Sequence, residues 1–176
     1  MQTSHIIRDA EERDAPHLPA VEKSAARAFL MIPELEWVAN GPILSADDHR
    51  SWMQKGQIWV AEDEKGKLLG FLTCQIFGKE LHIWEVSVRQ DAQGKGIGRG
   101  LMEMAKTYAV NNGLTALTLT TFRGVAFNQL FYSKLGYQTL ASERLSVRLS
   151  GILKGEAAAG LPADQRCAMQ QLIQQQ

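Results

Sequence analysis

The chain contains one stretch in which an apolar strand leads through a glycine-rich turn into an apolar helix. It reads VSVRQDAQGKGIGRGLM, with glycines at positions 94, 96 and 98. Glycine lets the backbone approach a ligand closely, successive N–H groups converge there, and the amino end of the helix adds partial positive charge. The pattern predicts a cradle for an anion such as a pyrophosphate. A glycine cluster that only turns the chain and caps a helix is the alternative.

Two other phosphate-binding motifs are excluded by spacing. The sequence has no GxxxxGK[ST], and GxGxxG fails because Arg99 or Leu101 stands where the third glycine is required.

A second motif, FNQLFYSKLGY from Phe127 to Tyr137, follows at some distance. Together with Gln93, Gly96 and Gly98, which match Q/R-x-x-G-x-G/A, it makes the chain similar to the GNAT acetyltransferase superfamily. The resemblance implies an α/β (α+β mixed sheet) fold, with a central twisted mixed sheet flanked by helices. It also implies acetyl-CoA as co-substrate and an amine acceptor, with direct attack in a ternary complex.

The resemblance further implies which residues contact the cofactor. These are expected to be Val86, Ser87, Val88, Gln93, Gly94, Lys95, Gly96, Ile97, Gly98, Arg99, Asn128 and Tyr132. Tyr132 corresponds to the position that protonates the departing thiolate in many members, and a phenol can donate such a proton. A core aromatic at Tyr132 and a helix-start residue at Asn128 are the structural alternatives.

An alkylamine is almost wholly protonated at neutral pH, so attack on a thioester benefits from a base or a water chain to one. Glu85 in the apolar strand LHIWEVSV is the leading candidate, because desolvation would raise its pKa. A structural Glu85 paired with a basic neighbour remains open, as does His82 acting as the base. A covalent route through Cys74 is disfavoured, since nothing near it in sequence suggests a paired base.

The pattern of apolar residues predicts the order of elements. Strands are expected at Ser4–Arg8, around Ile58–Val60, at Leu68–Phe77, Leu81–Val88, Leu114–Thr121 and Arg166–Ile173. Helices are expected at Glu11–Phe29, Ala46–Lys55, Ile97–Asn111, Ala126–Leu135 and Glu143–Ala159. We expect a single domain over 1–176, with a core at 4–140, a carboxy-terminal helix and strand in 141–176, and frayed closing glutamines.

Composition limits the other possibilities. The 176 residues carry 19 basic and 19 acidic side chains, so no overall charge favours nucleic acid or an anionic membrane. No apolar run approaches the roughly 18 residues that span a bilayer, and the polar amino terminus does not resemble a signal peptide. We expect a cytoplasmic protein with reduced cysteines. The four histidines lack metal-ligand spacing, so no metal site is predicted.

The acceptor is not identified by the sequence. An aromatic set can line an acceptor cleft, although core packing is the alternative for each member: Phe29, Trp37, Trp52, Trp59, Trp84 and Phe122. Glu34 and Glu36 would favour a cationic amine. A small-amine enzyme, a protein N-terminal or lysine acetyltransferase, and a non-catalytic acyl-CoA sensor remain open. A homodimer is expected from the family's habits and the apolar residues near Leu149–Leu153.

Overall fold

A computed structural model describes residues 5–174. The predicted strand start at Ser4 and the closing glutamines 175 and 176 lie outside the described residues. The chain divides into two compact units. The first comprises the chain up to Gln75 together with Glu85–Thr107, and the second comprises Ile76–Trp84 and the chain from Tyr108 onwards.

The elements follow the predicted order. The strands are β1 (His5–Asp9), β2 (Gln57–Asp63), β3 (Leu68–Phe77), β4 (Glu80–Val88), β5 (Ala116–Phe122), β6 (Gln138–Thr139) and β7 (Arg166–Leu172). The α-helices are α1 (Leu18–Ala26), α2 (Glu36–Ala39), α3 (Ala46–Lys55), α4 (Ile97–Asn111), α5 (Gln129–Lys134) and α6 (Val147–Ala158).

The strands form one sheet in the order β1-β2-β3-β4-β5-β7-β6. Strands β4 and β5 pair in parallel, with Ile83 opposite Leu119. The pairs β1–β2, β2–β3, β5–β7 and β6–β7 are antiparallel. The predicted mixed α/β sheet is thereby confirmed.

In the first unit, α1 packs its apolar side on the strands that follow it. The buried cluster there comprises Leu18, Val21, Ile58, Val60, Leu68 and Phe71. Strand β2 and most of β3 are buried at successive residues rather than at every second one, because both of their faces are covered. This packing fixes α1 and α3 relative to the strands.

The single helix predicted over Glu11–Phe29 is wrong. The structure has a 3-10 helix at Glu12–His17, then α1, then a second 3-10 helix at Arg27–Met31. Pro16 lies inside the first of these and Pro19 at the start of α1. Proline has no N–H to donate and is tolerated in the first turn of an α-helix, so the α-helix begins only at Leu18.

In the second unit, the last strand is where the sequence predicts it, but two helices are shorter than predicted. The helix expected at Glu143–Ala159 begins at Val147, because Ser146 caps it by accepting a hydrogen bond from Leu149 N–H over 3.2 Å. The helix expected at Ala126–Leu135 begins at Gln129, since Asn128 has non-helical backbone angles.

The carboxy-terminal helix α6 is bound to the rest of the second unit by two partly buried arginines. Arg166 contacts Glu156 of α6 at 2.9 Å, and Thr120 donates its hydroxyl to the same carboxylate over 2.5 Å. Arg148 pairs with Glu80 and donates to Thr118 over 3.0 Å. Within residues 5–174, no helix is both long and apolar enough to cross a bilayer.

Candidate active site

The glycine-rich turn has the open backbone that its sequence predicts. After β4 ends at Val88, a short 3-10 turn leads to Gly94 and Gly96, whose φ angles are +74° and +84°. Residues with a Cβ rarely adopt this region. A Cβ built on either glycine would meet no atom within 4 Å, so the outer side of the turn is open space.

The amino end of α4 presents unused backbone donors to this turn. The N–H of Gly100 donates to the carbonyl of Gly96 over 2.9 Å, which is the first intrahelical bond. The N–H groups of Ile97, Gly98 and Arg99 therefore have no acceptor within the helix. The side chain of Ile97 is buried and anchors the helix start, so these donors are held in place where an anion is stabilised.

Side chains of the motif hold the turn in shape. Gln93 donates from Nε2 to the carbonyl of Val88 over 3.0 Å, and Lys95 donates from Nζ to the carbonyl of Asp91 over 2.9 Å. Arg89 and Lys67 contact the Asp91 carboxylate, and their hydrogen bonds lower its pKa to about 2. The sequence predicted that Gln93 and Lys95 contact the ligand. In the structure, both side chains hydrogen-bond backbone carbonyls of the turn and stabilise its shape.

Glu85 lies in β4 immediately before this turn. Burial, together with the charge of Glu22, raises the pKa of its carboxyl from 4.5 to about 8. The hydroxyl of Ser87 donates to Glu85 Oε1 over 2.6 Å and opposes the shift by favouring the anion. Glu85 therefore titrates in the pH range in which a general base operates.

Two further ionisable residues of the first unit were missed by sequence reasoning. Glu22 of α1 accepts the N–H of Leu44 at its two oxygens, over 3.2 and 3.4 Å. The Nε2 atom of His49, in α3, lies 3.5 Å from Glu22 Oε2, and the His49 side chain is fully buried. Glu22 follows the core residue Val21 in an ordinary amphipathic pattern, and no motif marks it.

The second motif contributes Asn128 and Tyr132 to the second unit. Tyr132 is buried in α5 with its ring 5.1 Å from Phe131 and 6.0 Å from Tyr137, between ring centroids. Asn128 precedes α5 and accepts the hydroxyl of Thr121 at Oδ1 over 3.1 Å. Its Nδ2 is buried and has no hydrogen-bond partner within the part of the chain that the structure describes.

The remaining residues predicted for the cofactor lie along the same strand and helix. Val86 and Val88 are partly buried, Ser87 is buried, and Gly98 is partly buried while Arg99 is exposed. The structure thus brings Glu85, the end of β4 and the glycine turn together in the first unit.

The structure argues against two alternatives, His82 as the general base and a covalent route through Cys74. His82 is fully buried, and burial together with the charge of Arg148 lowers its pKa to about 3. Its Nδ1 is 2.9 Å from the Thr118 hydroxyl, so it is a core residue rather than a half-exposed one. Burial raises the pKa of Cys74 to about 12, and the thiolate needed for a covalent route is scarce.

The aromatic residues proposed for an acceptor cleft differ in how far they are buried. Trp59 and Phe122 are core residues, and Trp52 packs against the cluster of the first unit. Trp37 and Trp84 are exposed to solvent over 46% and 37% of their surface. Glu34 and Glu36 are exposed, and no group of His, Cys, Asp or Glu in residues 5–174 is arranged to hold a metal ion.

Comparison with known families and relatives gives a consistent result. The model of the acetyltransferase (GNAT) family matches residues 26–137. Mycothiol acetyltransferase from Amycolatopsis mediterranei (strain U-32) is 31% identical over 127 residues, which cover 67% of this chain and 42% of that protein. The chain therefore matches less than half the length of this relative.

Solved structures share the fold over nearly the whole chain. PaiA N-acetyltransferase from Thermoplasma acidophilum, solved in complex with coenzyme A, has a TM-score of 0.69 at 16% identity and covers 97% of this chain and 99% of its own. The ribosomal-protein-S18-alanine N-acetyltransferase from Escherichia coli has a TM-score of 0.69 at 17% identity, with 98% and 96% covered. At these identities the likeness shows the fold.

Proposed function

The chain belongs to the acetyltransferase (GNAT) family, and on that premise we propose that it transfers the acetyl group of acetyl-CoA to an amine. The observation that carries the proposal is the open turn at Gly94 and Gly96, with unused N–H donors at the start of α4. These donors suit a pyrophosphate, and PaiA, which has the same fold, was solved with coenzyme A.

The residues that would hold acetyl-CoA fit its chemistry. Backbone amides from Gly94 to Arg99 would bind the pyrophosphate, because a side chain at Gly94 or Gly96 would occupy the space that the ligand needs. Val86, Ser87 and Val88 would line the thioester arm, and Asn128 would use its unpartnered Nδ2 as a donor to the cofactor. The bound molecule supplies an acetyl group on a good leaving thiolate.

The proposed reaction is direct attack of the amine nitrogen on the acetyl carbon in a ternary complex. Glu85, as carboxylate, takes the proton that the amine must lose, and a backbone amide near Val88 polarises the thioester carbonyl. As the carbon–sulfur bond breaks, Tyr132 donates its phenolic proton to the thiolate and is then reprotonated by solvent. The products are an N-acetyl amine and free coenzyme A.

Residues at the proposed acceptor end favour catalysis over simple sensing of acyl-CoA. A sensor would need the glycine turn, but it would not need a desolvated carboxylate in β4 with a pKa of about 8. If the protein is an enzyme, we propose that its acceptor is a small amine, and this class is the first to test. Acetylation of a protein N-terminus or of a lysine is the alternative.

Cytoplasmic location and a homodimer stay predictions. The apolar residues of α6 that motivated the dimer are partly used within the second unit, where Leu149 is buried and Ile152 and Leu153 pack against its cluster. Val147 of the same helix is 93% exposed. Light scattering over a wide concentration range tests the dimer.

The proposed function is tested by two measurements on the purified protein. Calorimetry with acetyl-CoA is expected to show binding at a single site per chain. Thiol release in the presence of a broad set of amines and peptides is expected to identify an acceptor. Binding of acetyl-CoA without thiol release above the hydrolysis background, across the whole set, would favour the sensor.

A further inference from the structure

Glu22 places a second carboxylate beside the proposed base. Its charge acts on Glu85, and its own side chain is only 16% exposed. Helix α1 is tied to the end of β4, because Gln90 N–H donates to the Ser24 hydroxyl over 3.1 Å. Helix α1, which carries Glu22, is thus held beside the end of the strand that carries Glu85.

In the described part of the chain, neither carboxylate is paired with a lysine or an arginine. Within residues 5–174, no lysine or arginine lies within ion-pairing distance of Glu22 or Glu85. The contacts of Glu22 are the Leu44 N–H and the ring of His49, and the contact of Glu85 is the Ser87 hydroxyl. The charge of Glu22 raises the pKa of Glu85, so a cation bound beside them would favour the ionised Glu85 that acts as the base.

The burial of His49 without hydrogen bonds is a second observation that points to a bound group in this region. The side chain is fully buried, and neither ring nitrogen has a hydrogen-bond partner in the described part of the chain. Its Nε2 points toward Glu22 Oε2 at 3.5 Å, and its ring packs edge-on against Phe71 at 5.3 Å between centroids. Buried polar atoms are rarely left unpaired unless they serve a function or contact an unseen molecule.

We infer that Glu22 is a specificity-determining residue of the acceptor site. Together with Glu85, it selects amines that carry net positive charge and no carboxylate on the short chain that bears the reactive nitrogen. The inference rests on the proposed function, because it takes the acceptor to bind at Glu85. An ammonium group that arrives at the two carboxylates gives its proton to the ionised form of Glu85, and the charge of Glu22 attracts cationic acceptors to this end of the site.

A charge series of three-carbon amines tests this inference. Propylamine, diaminopropane and β-alanine each present a primary amine on a three-carbon chain, with net charges that decrease in the order diaminopropane, propylamine, β-alanine. We expect the wild-type kcat/KM to follow that order. Glu22→Gln should raise KM for the two cationic amines by about 5- to 50-fold with a smaller effect on kcat, and it should reduce the discrimination against β-alanine.

The pH profile separates a charge role from a structural one. In Glu22→Gln, the limb of kcat/KM that reports Glu85 should move to lower pH, because the charge that raises the pKa of Glu85 is gone. The groups that face Glu85 are Glu22 from α1 and Ser87 from β4, and His49 from α3 contacts Glu22. Glu103→Gln is the matched control, since Glu103 is an exposed carboxylate of α4.

The outcomes distinguish this inference from the proposed function. If wild type uses all three amines equally, or uses none of them while the broader set yields an acceptor, the inference is overturned and the acetyltransferase stands. If Glu22→Gln keeps both the order of preference and the pH limb, the inference also fails. Should that variant not fold, the wild-type order alone decides.

Discussion

The hydroxyl of Ser87 donates a hydrogen bond of 2.6 Å to Oε1 of Glu85, two residues earlier on β4. Residues two apart in a strand point to the same face, so the strand itself holds donor and acceptor together. The bond favours the ionised carboxylate, while burial and Glu22 favour the protonated one, and the pKa of about 8 reflects that balance.

Replacing Glu85 by Gln keeps the shape of the side chain and removes the carboxylate that would act as the base. We expect kcat/KM for a confirmed acceptor to fall by roughly 100- to 10,000-fold, since general-base contributions have that size. The wild-type profile should rise with pH and show an inflection near 8 as Glu85 ionises, and the variant should keep only the slope that the amine's own deprotonation gives. Steady-state kinetics from pH 6 to about 10 measure both, and an unchanged profile would rule out Glu85 as the base.

The same shift predicts how stability depends on pH. The pKa of Glu85 is raised on folding, so the folded protein holds a proton that the unfolded chain releases between pH 4.5 and about 8. The contribution of Glu85 to stability is therefore fully present below pH 4.5 and is lost as the pH rises through about 8. Urea unfolding should show wild type losing stability relative to Glu85→Gln across this window, and parallel curves would contradict it.

Gly96 allows a test of the cofactor site with a matched control. Gly96→Val should raise the dissociation constant of CoA by about 10- to 100-fold, because the side chain occupies the open space and displaces backbone donors. Gly66 has a similar φ, +77°, and equally open space in the turn between β2 and β3. Gly66→Val should cost similar stability, about 1–2 kcal/mol, without affecting CoA in calorimetry. Equal effects of the two variants on CoA would point to strain alone.

The sequence predicted the parts of the molecule that local chemistry determines. The glycine turn, Ile97 at the start of α4 and the strand containing Glu85 follow from glycine geometry and apolar periodicity within a few residues. The predicted starts of three helices were wrong, because the apolar pattern continues beyond the true start. The actual starts depend on Pro16, Asn128 and Ser146, through proline and capping effects. Glu22 and His49 could not be found, because their significance comes from tertiary contacts between residues far apart in sequence.

Arg148 is expected to contribute to the stability of the second unit. It pairs with Glu80, donates to Thr118, and lies 4.8 Å from the centroid of the Phe77 ring. Arg148→Met leaves Glu80 partly buried without its partner and should lower the free energy of unfolding by about 2–4 kcal/mol. Adding Glu80→Gln should recover part of this loss. The exposed Arg144 is the control, and a similar loss in Arg144→Met would show that the Glu80 pair is unimportant.

Tyr132 tests the leaving-group step. Tyr132→Phe keeps the buried ring and its contacts with Phe131 and Tyr137, and removes only the hydroxyl. If the phenol protonates the departing thiolate, kcat should fall by on the order of 10- to 1000-fold while CoA affinity barely changes. Tyr108→Phe, a partly buried tyrosine of α4, is the control.

A substrate with a better leaving group makes the Tyr132 test specific. An acetyl donor whose thiol has a lower pKa needs less protonation as it departs, so the deficit of Tyr132→Phe should shrink with that donor. A deficit that is the same for both donors would indicate that the hydroxyl positions the substrate. Wild-type turnover in the variant across pH would mean that the thiolate leaves unassisted or is protonated by water, and Tyr132 would then be a packing residue.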